Sequence, residues 1–198
     1  MIKNLIFDFG KVLVDYDFAR VISTFFNDIT RADEFCRIFT SNEFLDRCDK
    51  EDIPFQEIID DMKQQYPQFA EEAQMFADHY VDYVTNEVAG MRELLIEMHN
   101  RGFKLYGLTN WCSKVHDVMK KFDIFELLDG RIISSEEHLI KPDVAIYQRL
   151  CEKYDVLPEE CVFADDKAVN VVGAISAGMK GIIFQNAKQY KRELEALL

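Results

Sequence analysis

The chain has 198 residues, 48% hydrophobic and 30% charged, enough for one domain or for a core with an inserted subdomain and no disulfide staple. A formal net charge of −13 repels nucleic acid and anionic membranes, so both are excluded as partners. No run of about 18 uncharged apolar residues occurs. The amino terminus shows no leader pattern, and the five cysteines lack CxxC spacing; a cytoplasmic protein with reduced core thiols is expected.

The first apolar run, 4–9, reads as a buried strand that carries Asp8 near its end, followed at once by Gly10. A carboxylate closing a buried strand needs a partner or a task, because desolvating a lone charge is costly. Residues 16–89 then hold 17 Asp+Glu against 6 Lys+Arg. Phe18, Val21, Ile22, Phe25, Phe26 and Ile29 follow helical spacing, as do Phe69, Ala73, Phe76, Ala77, Tyr80 and Val84. Between these stripes Pro54 opens a helix with Phe55, Ile58, Ile59 and Met62 on one face. Their aromatic residues are expected to be core packing. Beyond residue 90, helices are predicted at 91–100, 113–121, 142–154 and 167–177, and strands at 103–109, 130–134, 160–164 and 180–184. Gly102 and Gly178 stop two of the helices, and Pro142-Asp143 opens a third. The predicted fold is α/β. A doubly wound, Rossmann-like parallel sheet is built from 1–15 and 90–198, with 16–89 as an inserted all-helical cap.

Ligands in such sheets bind beyond the carboxyl ends of the strands, and Asp8, Thr109 and Asp165 all fall at those ends. With Lys141 and Asp166 they make a set suited to metal-assisted phosphoryl transfer to an aspartate. Each member alone reads more simply. Asp8 alone suits a turn or cap, Thr109-Asn110 a helix N-cap, Lys141 a surface lysine and Asp165-Asp166 a capping pair. Only the constellation favours chemistry.

Four segments in order resemble the motifs of the haloacid dehalogenase superfamily: Asp8-Phe9-Gly10-Lys11-Val12, Leu108-Thr109-Asn110, Lys141-Pro142-Asp143, and Phe163-Ala164-Asp165-Asp166-Lys167 with Asn170. The resemblance covers the whole chain, and a helical insert after the first motif is similar to the subfamily I cap. Val14 to Arg20 further resembles bacterial sugar-phosphate phosphatases, among them the alpha-glucose-1-phosphate phosphatases. The resemblance implies a hydrolase acting on a small phosphorylated metabolite, a sugar phosphate by preference, as a monomer or weak dimer. Asp8 would attack phosphorus. Mg²⁺ would be held by Asp8, the Gly10 carbonyl and Asp166, with Asp165 orienting a bound water. Thr109 and Asn110 would hold phosphate oxygens, and Lys141 would neutralise the charge that builds during transfer.

Gly10 departs from the pattern, because most phosphatases of this superfamily carry an acid–base aspartate there. That group is typically worth 10²–10⁴-fold. Its loss suits a substrate with a good leaving group, such as an anomeric sugar phosphate. It also leaves two alternatives: a metal-independent 2-haloacid dehalogenase, or a binding protein that keeps the fold without catalysis. A dehalogenase would want an early arginine beside the nucleophile, and Arg20 is the sole candidate. Arg20 and Arg47 are the cations of 16–89 expected to face a substrate. Gly10 is expected to hold a backbone angle that a side chain tolerates poorly, and His138 stands where relatives usually carry glycine.

Overall fold

The computed structural model describes residues 1–198. Its strands are β1 (Asn4–Phe7), β2 (Val14–Tyr16), β3 (Val84–Glu87), β4 (Lys104–Thr109), β5 (Gly130–Ile133), β6 (Cys161–Asp165) and β7 (Lys180–Ile183). Five of them form one parallel sheet in the order β5-β4-β1-β6-β7. β1 is central, with Leu5 opposite Leu105 on one side and Val162 on the other, and all four of its residues are buried. This is why it reads as an unbroken apolar run: helices cover both faces and no side chain has a solvent face.

The helices are α1 (Phe18–Ile22), α2 (Ile29–Phe39), α3 (Asn42–Lys50), α4 (Phe55–Gln65), α5 (Ala70–Asp78), α6 (Met91–Asn100), α7 (Val115–Lys121), α8 (Ser134–Glu137), α9 (Val144–Tyr154), α10 (Ala168–Ser176) and α11 (Ala187–Glu195). Gly102 and Gly178 adopt φ of +91° and +94°, left-handed positions that suit glycine and end α6 and α10. No helix is long and apolar enough to cross a membrane.

β2 and β3 form a separate antiparallel pair with Val14 opposite Glu87. The chain therefore leaves for the inserted helices and returns from them at one place. The stripe from Phe18 to Ile29 is not one helix. α1 stops at Ile22, a tighter turn spans Ser23–Phe25, and Phe26 is extended. Asp28 then caps α2 by accepting from the Thr30 amide, which leaves Ile29 78% exposed in the first turn. The stripe from Phe69 to Val84 is broken as well: α5 ends at Asp78, a tighter turn spans Tyr80–Tyr83, and Val84 opens β3, so 16–89 is not helical throughout. The aromatic side chains of these stripes still pack as core. Phe35, Phe39, Phe44, Phe69 and Phe76 stack inside the insert, and their cluster runs on into Leu5 and Phe7 of the sheet. The five cysteines are free thiols, four of them buried.

Candidate active site

Parallel pairing brings three strand ends to one edge. Asp8 follows β1 directly and its amide donates to Ala164 O (2.9 Å), next to Asp165 at the end of β6. Thr109 ends β4 on the other side. Lys141, from the loop before α9, reaches between them and is 3% exposed. Its Nζ lies 2.9 Å from Asp8 Oδ1 and 2.7 Å from Asp165 Oδ2, and donates to Leu108 O at 3.0 Å. Three oxygens thus use the three donors of the ammonium. Asn110 fixes the lysine backbone, accepting from the Lys141 amide at 2.8 Å and donating to its carbonyl at 3.0 Å. Asp165 is held further by the Asn170 amide group (2.9 Å) and the Lys167 backbone N–H (2.8 Å).

The electrostatics follow from this crowding. Burial pushes the Asp8 carboxyl up to about 6; Lys141 opposes the rise and Asp165 adds to it. Burial alone would lower Lys141, but the Asp8 and Asp165 carboxylates outweigh it and hold the ammonium protonated. Asp166 is raised by burial and then by Asp165. Asp8, Asp165 and Asp166 can each present an oxygen within 4.8 Å of the others. A hard-cation site fits this all-oxygen set, whose members repel one another without added positive charge. Thr109 Oγ1 is buried and has no hydrogen-bond partner, which fits a donor kept for a ligand oxygen.

A cavity opens over these groups, lined by Gly10, Tyr16, Phe18, Tyr80, Tyr83, Trp111 and Lys167 as well. From α3 it receives Asn42, Leu45, Asp46 and Asp49, the i, i+3, i+4, i+7 face of that helix. Three contacts tie the carboxyl end of α3 to the sheet domain. Ser134 Oγ donates to Asp49 O, Glu51 accepts from the Ser113 amide (2.6 Å) and hydroxyl (2.7 Å), and His138 Nδ1 lies 3.2 Å from Lys50 O. His138 adopts φ +54°, the left-handed conformation that glycine usually supplies.

The structure gathers Asp8, Gly10, Thr109, Asn110, Lys141 and Asp166 around one cavity, with Asp165 bound to Lys141 beneath it. It does not bring Arg20 or Arg47 there. Asp17 caps α1 by accepting from the Arg20 amide, which sends Arg20 to the outer face, where Nη2 donates to Asp82 O at 3.1 Å. Arg47 stands two residues from both Leu45 and Asp49, hence on the opposite side of α3, and pairs with Asp61. Gly10 also differs from expectation, since its φ is not positive. The obstacle to a side chain is Tyr16, whose Cε1 would lie 2.9 Å from an added Cβ. Sequence reasoning missed Asp49, Tyr16 and Trp111 as lining residues. The signal for Asp49 was the polar stripe on α3; Tyr16 and Trp111 carried none.

A parallel five-stranded sheet in the order β5-β4-β1-β6-β7, flanked by helices and carrying aspartates and a buried lysine at its carboxyl edge, defines a Rossmann-like α/β core. The model of the haloacid dehalogenase-like hydrolases matches residues 5–184, and the chain belongs to that family. It is 31% identical over 111 residues to a sesquiterpene phosphatase of Aspergillus oryzae, an alignment covering 56% of this chain and 57% of the relative. It is also 31% identical over 108 residues to flavin mononucleotide hydrolase 1 of Arabidopsis thaliana, covering 54% and 44%. The chain thus spans about half the length of these curated relatives. A family enzyme of Bacteroides thetaiotaomicron, solved with magnesium and inorganic phosphate, shares the fold with a TM-score of 0.74 at 20% identity, over 94% of this chain and 96% of that one.

Proposed function

We propose that the protein is a Mg²⁺-dependent phosphatase that hydrolyses a small phosphate ester, a sugar phosphate, through phosphoryl transfer to Asp8. One observation carries this reading: Asp8 closes the central strand with Lys141 Nζ 2.9 Å from one carboxylate oxygen and a triad of acidic oxygens beside it. When bound, Mg²⁺ would supply positive charge between the attacking carboxylate and the phosphoryl oxygens. Asp8, Asp166 and the Gly10 carbonyl would hold it, with Asp165 in support. Lys141 keeps Asp8 oriented and offsets charge on the transferring group. Thr109 Oγ1 and the Asn110 backbone bind phosphate oxygens, and the inserted segment 16–89 acts as a cap that limits water.

The cavity chemistry supports a polyol. Trp111, Tyr16 and Tyr80 offer apolar faces, and Asn42 and Asp46 offer partners for hydroxyl groups. The dehalogenase alternative loses its arginine, because Arg20 points away from Asp8.

A phosphate-release screen of hexose phosphates, flavin mononucleotide and a terpenyl phosphate, with and without Mg²⁺, tests the proposal. Highest kcat/KM on a hexose phosphate in Mg²⁺ is the expected result. Preference for either of the other esters would overturn the substrate, and no hydrolysis of any ester would overturn the activity.

A further inference from the structure

Position 10 has no acid, and Tyr16 fills the space beside it. The phosphatase reading therefore lacks a group to protonate the leaving oxygen and later to activate water. Few cavity groups could do so. Asp8 and Lys141 are committed to each other, Asp165 is held by Lys141, Asn170 and the Lys167 amide, and Asp166 belongs to the proposed metal set. The Tyr16 phenol is raised by burial and then by Asp166, Asp8 and Asp49, so it cannot give up a proton near neutrality.

Tyr80 and Tyr83 are raised by burial as Tyr16 is, and Asp46 and Lys167, which also line the cavity, are exposed. Asp49 differs from all of these. It lies on the cavity face of α3, across from the sheet edge, and the cap backbone at this point is fixed by the Ser134 contact. Its carboxyl is half-buried, lines the cavity and has no hydrogen bond or ion pair within the chain. A carboxyl that lines the cavity with no structural partner is free to exchange a proton with whatever enters.

We propose that Asp49 is the general acid–base residue of this phosphatase, supplied by the cap in place of the core residue missing at position 10. The proposal rests on the phosphatase reading above. In the first step an Asp8 oxygen bonds to phosphorus, the bond from phosphorus to the ester oxygen breaks, and the Asp49 proton passes to that oxygen, releasing the alcohol. In the second step the Asp49 carboxylate takes a proton from water as the water oxygen bonds to phosphorus and the bond from phosphorus to the Asp8 oxygen breaks. Inorganic phosphate leaves, and Asp8 and protonated Asp49 are restored. Burial raises the Asp49 carboxyl to about 7, against the pull of Lys167 and Lys141 and with a push from Asp46 and Asp8. This suits a group that must both give and take a proton.

The test compares two esters. Glucose 6-phosphate has a poor leaving group that needs a proton, whereas p-nitrophenyl phosphate does not. Asp49→Asn should lower kcat/KM on glucose 6-phosphate by about 10²-fold or more and leave p-nitrophenyl phosphate nearly unchanged. Asp49→Glu should recover part of the loss. In the unmodified enzyme, kcat/KM for glucose 6-phosphate should fall at high pH while that for p-nitrophenyl phosphate stays flat, a readout that needs no variant. Equal losses on both esters, or matching pH profiles, would overturn the role of Asp49 while leaving the phosphatase reading intact. An unmodified enzyme that hydrolyses neither these two esters nor any ester of the screen above would overturn that reading and the proposal with it.

Discussion

The ring of Tyr16 occupies the space that any side chain at Gly10 would need, with Cε1 2.9 Å from the position of an added Cβ. The ring cannot withdraw freely. It packs edge-on against Phe18 at 5.2 Å, and Lys11 Nζ sits 4.5 Å from its centroid. Gly10→Asp should therefore destabilise the protein by about 1–3 kcal/mol through overpacking. Gly10→Asp combined with Tyr16→Ala should recover much of that loss, a coupling that denaturant midpoints of the four proteins would reveal.

Asp8→Asn separates chemistry from folding. A carboxyl raised from 3.8 to about 6 on folding contributes stability that is complete below its unfolded value and lost as pH rises through about 6. In EDTA, the unmodified protein should thus lose stability relative to Asp8→Asn between about pH 4 and pH 7, by at most roughly 3 kcal/mol. Thermal midpoints of both proteins across that range check the sign. A variant less stable at neutral pH than at acid pH, relative to the parent, would contradict it.

Lys141→Met should cost about 3–5 kcal/mol, because it leaves Asp8 and Asp165 buried side by side without their shared cation. Added Mg²⁺ should restore part of the loss by supplying charge to the same carboxylates. A midpoint unaffected by the substitution would show that the lysine is not the partner that keeps them ionised.

Glu51 links α3 to the sheet domain through Ser113, and it also accepts from the Phe55 amide at 3.1 Å at the start of α4. Glu51→Ala removes three hydrogen bonds to a charged group and should destabilise by about 1.5–3 kcal/mol. If the clamp also holds the α3 face over the site, KM should rise more than kcat falls.

The sheet was legible because buried parallel strands read as short apolar runs, and because helix stops such as Gly102 and Gly178 carry a steric reason. Asp8, Thr109, Lys141, Asp165 and Asp166 were legible because strand ends in such a sheet converge. The insert was harder. Phe25 and Phe26 satisfied a helical period, yet Asp28 offered a better cap and the helix restarted there. Arg20 and Arg47 misled because sign of charge was weighed without phase. Each stands two residues from a cavity-lining neighbour, and two positions on a helix point to opposite sides. The β2–β3 pair had no periodicity strong enough to mark it, whereas α11 carries Ala187, Tyr190 and Leu194 at helical spacing and was legible in principle. The clash at Gly10 depends on a ring six residues away, which no local pattern encodes.

Phosphate release from a hexose phosphate, measured in Mg²⁺ and then after excess EDTA, for the unmodified protein, Asp8→Asn and Asp166→Asn, tests the central claim most directly. Turnover should require Mg²⁺ in the unmodified protein. It should be absent in Asp8→Asn and greatly reduced in Asp166→Asn, with both variants folded by their thermal midpoints. Full phosphate release in EDTA, undiminished turnover by Asp8→Asn, or metal-free chloride release from 2-chloropropionate by the unmodified protein would contradict it.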